Sequence, residues 1–177
     1  MKIMVCSDIH GSFKYAEIIK DIFDKEKADK LLILGDLYYH GPRNPLPDDY
    51  NPKKVAEIFN GMKQRLVVIQ GNCDSEVDQM ISEFDFVKQA VLLLGQKSVF
   101  ASHGHIFNKD TKPVGQYNVV LYGHFHKAFL EKCDDIVYAN PGSISLPKDG
   151  VRAYITLSED EICLKSIEGN VIDAQQF

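Results

Sequence analysis

The stretch Leu31-Leu32-Ile33-Leu34-Gly35-Asp36 restricts the fold more than any other part of the chain. Four aliphatic residues in a row, without polar alternation, read as a strand buried on both faces, which requires layers of structure above and below it. The run stops on glycine and then an acid. Such a strand delivers one carboxylate, Asp36, to the carboxyl edge of a sheet, where open α/β folds bind their ligands. Neighbouring segments repeat the design: Lys2 to Cys6 leads into Asp8-Ile9-His10-Gly11, and Leu66 to Ile69 leads into Gln70-Gly71-Asn72-Cys73-Asp74.

Helical spacing fills the gaps between these runs. Phe13, Ala16, Ile19, Ile22 and Phe23 follow Ser12 as N-cap, and Val55, Ile58, Phe59 and Met62 follow Asn51-Pro52 as N-cap and first helical residue. Strand, helix, strand, helix, strand is the order of a parallel α/β half. From Tyr38 to Tyr50, Gly41, Pro42, Pro45 and Pro47 forbid regular structure and make a stiff lid-like loop. After an amphipathic stretch around Val77 to Ile81 come short strand-like runs: Val87 to Leu94, Ser98 to Ala101, Asn118 to Tyr122, Ala128 to Leu130, Ile136 to Ala139, Ala153 to Leu157 and Ile162 to Ile167. Few helices separate them, which predicts a second, mainly antiparallel sheet. The expected architecture is α/β, two stacked mixed β-sheets flanked by helices, in a single domain over residues 1–177; 45% hydrophobic content suits one core of that size.

A net charge of −5 argues against a general nucleic-acid or membrane-surface binder, so an anionic substrate must be attracted locally. The first apolar run reaches Ser7-Asp8 too soon for a signal peptide or a membrane span, and a cytoplasmic location is expected. No C-x-x-C pair occurs among Cys6, Cys73, Cys133 and Cys163, and three of them, Cys73 apart, read as small buried hydrophobes. Exposed sheet edges allow a homo-oligomer.

Five strand-like runs end in metal-binding residue types: Asp8 and His10, Asp36, Asn72, His103, and the pair His124 and His126. A lone Gly-Asp is more often a turn, and a lone His-x-His suits a wet sheet face as well as a metal. The inventory shifts the balance, because all six histidines (10, 40, 103, 105, 124, 126) fall in or beside these strand ends. Oxygen and imidazole donors without a required thiolate suit Mn²⁺, Fe²⁺ or Zn²⁺ in a reactive site rather than a structural zinc.

In order, Asp8-Ile9-His10, Gly35-Asp36, Gly71-Asn72, His103-Gly104-His105 and Gly123-His124-Phe125-His126 resemble the five blocks of the calcineurin-like metallophosphoesterases. Through Gly35 to Asn44 and Asn140-Pro141-Gly142-Ser143 the chain is similar to the small bacterial YfcE-type phosphodiesterases of that superfamily. The resemblance implies the αββα four-layer sandwich of the metallo-dependent phosphatases. It also implies two divalent metal ions, with Mn²⁺ expected and Fe, Zn or Ni as alternatives. Asp8, His10 and His126 are then ligands of one ion, Asn72, His103 and His124 of the other, and Asp36 bridges them. A metal-bridging hydroxide attacking a small phosphodiester is the implied reaction. Two dications, two carboxylates and a hydroxide sum to about +1, which matches a diester's single charge.

Two positions depart from the wider superfamily. Cys73 stands where many members carry a histidine that serves the leaving group, and Tyr39 stands where the protein phosphatases place that histidine's supporting aspartate. Their joint loss implies a preference for good leaving groups. His40 occupies the place of a phosphate-binding arginine, and His40 and Arg43 are expected to contact substrate, with Cys73 and His105 lining the pocket. Asn140-Pro141-Gly142-Ser143 reads as a turn near the metal edge. The alternatives are a phosphomonoesterase or nucleotidase with the same site, and a non-catalytic protein-binding scaffold of the same fold.

Overall fold

The structure, a computed structural model, describes residues 1–176. The first half alternates β1 (Ile3–Cys6), α1 (Phe13–Glu26), β2 (Lys30–Ile33), α2 (Pro52–Asn60), β3 (Leu66–Ile69), a short α3 (Glu76–Gln79) and β4 (Phe86–Val87). The second half is β5 (Gln89–Leu94), β6 (Lys97–Ser102), β7 (Val119–Leu121), β8 (Ala128–Cys133), β9 (Ile136–Pro141), β10 (Ala153–Leu157), β11 (Glu161–Ser166) and β12 (Val171–Gln176). One sheet runs β12-β11-β10-β1-β2-β3-β4 and the other β5-β6-β7-β9-β8.

Strand alternation explains the layering. Ile3, Val5, Leu32 and Leu34 point between the sheets and pack on Val99, Ala101, Val119 and Leu121. Met4, Cys6, Leu31 and Ile33 point the other way, onto Ile19, Phe23, Val55 and Phe59 of α1 and α2. Both faces are covered, which is why these strands lack polar residues. The outer face of the second sheet is covered by a loop instead of a helix: Phe107 and Tyr117 pack beside Phe100, Val120, Tyr122 and Tyr138.

Several expectations need correction. The run from Val87 to Leu94 is two strands, since β4 pairs parallel to β3 whereas β5 pairs antiparallel to β6 in the other sheet. The sheets are mixed, as expected, but the second is not mainly antiparallel, because β7 runs parallel to both β6 and β9. Ala153–Leu157 joins the first sheet antiparallel to β1, and the strand after it pairs antiparallel with Ala153–Leu157. The edge strand β12 is too polar and exposed to carry an apolar pattern. Asn51 caps α2 as expected, accepting the Lys54 N–H at 3.2 Å. Ser12 instead donates its hydroxyl to the Asp48 carbonyl at 2.5 Å, which ties the start of α1 to the loop after β2.

Candidate active site

The carboxyl ends of β1, β2, β3, β6 and β7 bring the ligand-type residues together. Each chain turns sharply on leaving its strand, and Asp8, His10, Asp36, His124 and His126 all adopt left-handed backbone with φ between 51° and 68°. Asp and His tolerate that conformation better than most residues, and strain of this kind collects at functional sites. Close approach is built into the glycines as well. A Cβ on Gly35 (φ 100°) would sit 2.8 Å from Nδ1 of His103, and one on Gly71 would strike the Asp36 carboxylate.

Asp8, His10 and His126 are buried and offer three donor atoms within 4.8 Å of one another. Nδ1 of His10 lies 2.8 Å from the Tyr39 carbonyl, and Nδ1 of His126 lies 2.8 Å from the Leu146 carbonyl. A carbonyl only accepts, so both Nδ1 atoms carry the proton in neutral rings, and both Nε2 atoms present lone pairs. Those two Nε2 atoms face each other at 3.1 Å. Oδ1 of Asp8 is 3.2 Å from Nε2 of His126 and, though buried, has no hydrogen-bond partner among the described residues. Three acceptors converging in a buried space repel one another unless a cation lies among them, so these residues fit a divalent metal. The other oxygen of Asp8 is fixed by the Ser7 hydroxyl at 2.5 Å and the His124 N–H at 3.0 Å.

A second group adjoins the first through Asp36. Its Oδ1 lies 3.4 Å from Nε2 of His103 and its Oδ2 lies 3.8 Å from Nε2 of His10. Oδ1 of Asn72 is 3.1 Å from the same His103 nitrogen, whose ring is aligned by Nδ1 on the Leu34 carbonyl at 2.7 Å. The ring of His124 sits 5.1 Å from that of His103, centroid to centroid. Burial pulls the His103 imidazole down, but the hydrogen bond and charge of Asp36, with the charge of Asp8, push it up to about 9. Burial likewise opposes ionisation of Asp36 and Asp8, yet the histidines beside them hold both carboxyls below the usual range.

Asp74, which the sequence does not mark out, positions the bridge between the groups. Its buried carboxylate accepts the backbone N–H of Asp36 at 2.8 Å, Leu37 at 2.8 Å and Gly71 at 2.7 Å. The hydroxyls of Ser143 and Ser145 both donate to the Asp8 carbonyl, at 2.7 and 3.0 Å. Residues 143–145 therefore brace the metal-type cluster from behind, and the expected turn at 140–143 begins only after Pro141, where β9 ends.

A cleft of about 780 Å³ opens over Asp36, Asn72, His124 and His126. Cys73 and Arg43 line it, and so do Tyr39, Phe125 and Lys148. Burial, and then the charge of Asp36, pushes the Cys73 thiol up to about 12, so it remains S–H. His40 does not line the cleft; its ring packs edge-on against Tyr39 at 4.7 Å and Tyr50 at 5.4 Å. His105 is exposed beside His103 and His124, outside the cleft lining. Among the described residues no helix is long and apolar enough to cross a membrane.

Residues 1–161 match the Calcineurin-like phosphoesterase superfamily domain. The chain is 42% identical over 179 residues to phosphodiesterase YfcE of Escherichia coli K12, covering 99% of this chain and 97% of that protein. The solved structure of the E. coli phosphoesterase superposes with a TM-score of 0.95 at 38% identity, covering 99% of both chains. A Vps29 variant from Entamoeba histolytica shares the fold, with a TM-score of 0.68 at 16% identity over 100% of this chain and 99% of that one. The chain belongs to the calcineurin-like phosphoesterase superfamily, hydrolases of phosphoric esters.

Proposed function

We propose that residues 1–177 act as one domain that hydrolyses phosphodiester bonds with two divalent metal ions. Asp8, His10 and His126 would hold one ion, Asn72, His103 and His124 the other, and Asp36 would serve both. The observation that carries this reading is the facing pair of Nε2 atoms, 3.1 Å apart on His10 and His126, each with its Nδ1 committed to a carbonyl. When bound, the ions supply charge that acidifies an attacking water and stabilises the departing oxygen. Mn²⁺ is the expected metal, since the donors are carboxylate, amide oxygen and imidazole.

The chain's own residues do the remaining work. Tyr39 and Leu146 hold two imidazoles in the tautomer that exposes Nε2. Asp74 fixes the Asp36 backbone, and Arg43 places a guanidinium on the cleft wall, where it can meet an anionic group of the substrate. Cys73 stands beside Asp36, its backbone N–H donating to Oδ1 at 2.9 Å, and offers a departing alkoxide no imidazolium. Esters with good leaving groups are therefore the preferred substrates.

Metal analysis of the purified protein, paired with hydrolysis of bis(p-nitrophenyl) phosphate before and after chelation and Mn²⁺ return, tests the proposal. About two ions per chain, with activity lost and regained, is the expected result. A metal-free protein without diesterase activity would leave only the scaffold reading. Faster turnover of p-nitrophenyl phosphate than of the diester would favour the monoesterase.

A further inference from the structure

The cleft carries recognition groups that a single phosphate does not use. Tyr39 and Phe125 line it from the loops after β2 and β7, and each residue is 41% exposed. Both are supported from behind. Tyr39 meets His40 at 4.7 Å and His40 meets Tyr50 at 5.4 Å, while Phe125 meets His124 at 5.2 Å and Tyr122 at 5.9 Å, all edge-on. His40 is thus the buttress of an aromatic platform. Exposed rings held rigidly at a cleft wall are stacking surfaces.

Two cations line the same space. Arg43 and Lys148 have no side-chain hydrogen bond or ion pair among the described residues, in a chain of net charge −5. Both are nonetheless anchored through the backbone. The Asn44 side chain donates to the His40 carbonyl at 2.8 Å and closes the turn that carries Arg43, and the Lys148 N–H donates to the His126 carbonyl at 2.9 Å. Cations placed without acids await an anion beyond the one at the metals.

We propose that the site accepts a pyrophosphate diester bearing a nucleobase, with one phosphate at Asp36, the neighbouring phosphate on Arg43 and Lys148, and the base against Tyr39 or Phe125. This rests on the phosphodiesterase reading above and deepens it. The reaction balances without a further reagent: the oxygen of water bonds to the scissile phosphorus, and the P–O bond to the neighbouring phosphate breaks with its electron pair staying on that phosphate. Two phosphate monoesters result, at least one of them a nucleoside monophosphate, and the protons of water pass to solvent. A phosphate leaves without protonation, which suits a cleft that has Cys73 where an acid would be required.

The Mn²⁺-loaded protein should hydrolyse P¹,P²-di(adenosine) diphosphate to AMP at least about 10²-fold faster than adenylyl(3′→5′)adenosine, which has two bases but an alkoxide leaving group. R43A/K148A should lower kcat/KM for the pyrophosphate about 10-fold more than for bis(p-nitrophenyl) phosphate, and Y39A or F125A should weaken calorimetric binding of its α,β-methylene analogue about 10-fold. Hydrolysis of bis(p-nitrophenyl) phosphate with neither turnover of the pyrophosphate nor binding of the analogue would overturn this inference alone. Equal losses on both substrates in R43A/K148A would overturn the role of the cations. Binding of the analogue without hydrolysis of either ester would place the failure in the phosphodiesterase reading.

Discussion

Glu26 offers a test of what holds the scaffold together far from the chemistry. It ends α1, where its Oε1 accepts the Tyr154 hydroxyl at 2.7 Å and the Lys165 ammonium at 2.9 Å, and its Oε2 meets the Lys2 ammonium. One carboxylate thereby joins α1 to β10, β11 and the residue before β1. Burial alone would raise its pKa, but these three donors hold it at about 2 against an ordinary 4.5. At about 1.36 kcal/mol per pH unit, the difference corresponds to at most ~3 kcal/mol. Lys2 is 36% exposed, so its share is screened and E26Q should lose about 2 kcal/mol at pH 7. A depressed carboxyl pKa stabilises the fold fully above the unfolded value, and that contribution fades as pH falls through the folded value. The gap between wild type and E26Q in urea unfolding should therefore be constant from pH 7 to about 4.5 and close between about 4.5 and 2. Diesterase activity of E26Q at pH 7 should stay within about twofold, because Glu26 lies at the opposite end of β1 from Asp8. A gap that persists at pH 2.5, or is missing at pH 7, would refute the assignment of the stabilisation to the ionised carboxylate.

The site itself yields three further expectations. D36N keeps the size and left-handed tolerance of the residue but removes its charge, so metal content by mass spectrometry should fall below two ions per chain and activity should drop at least about 10³-fold. C73H should raise turnover of alkyl diesters selectively, and no gain on poor leaving groups would count against the absence of a proton donor. D74A leaves three backbone N–H groups without their acceptor and should lower stability in urea by about 3 kcal/mol or more in metal-free protein.

Sequence patterns expose those parts of this protein that depend on burial and residue type. Leu31 to Leu34 announces a strand covered on both faces because both faces meet apolar layers, and Val55 and Phe59 announce a helix with one buried stripe. The strand Ala153–Leu157 shows the boundary of such reading. Every residue in it is buried, and its apolar run would look the same in either sheet; antiparallel pairing with β1 is decided by distant packing. His40 marks another boundary. A position in the chain specifies the loop, but the ring's direction follows from its contacts with Tyr39 and Tyr50. Asp74 was hidden for a related reason: a carboxylate after a strand reads equally as ligand or turn, and its three N–H partners come together only in the folded protein.

The left-handed residues connect these levels. A non-glycine residue in that region costs on the order of 1 kcal/mol, and five of them occur at the site. The turns hold because each is bonded to another turn: the Asp8 N–H to the Gly35 carbonyl at 3.1 Å, the His10 N–H to the Asp36 carbonyl at 2.9 Å, and the Gly123 N–H to the His103 carbonyl at 2.8 Å. Asp74 and the Ser143–Ser145 pair add acceptor and donors to the same backbone. Strain at one metal-type residue is thus borne by the loops that carry the others, and loosening one turn displaces more than one of these side chains. The donor-type side chains are therefore fixed together by shared turns instead of one at a time. This explains why the site is built on strand ends of a sandwich whose sheets are buried on their inner faces: only a stiff edge can keep five unfavourable turns in register.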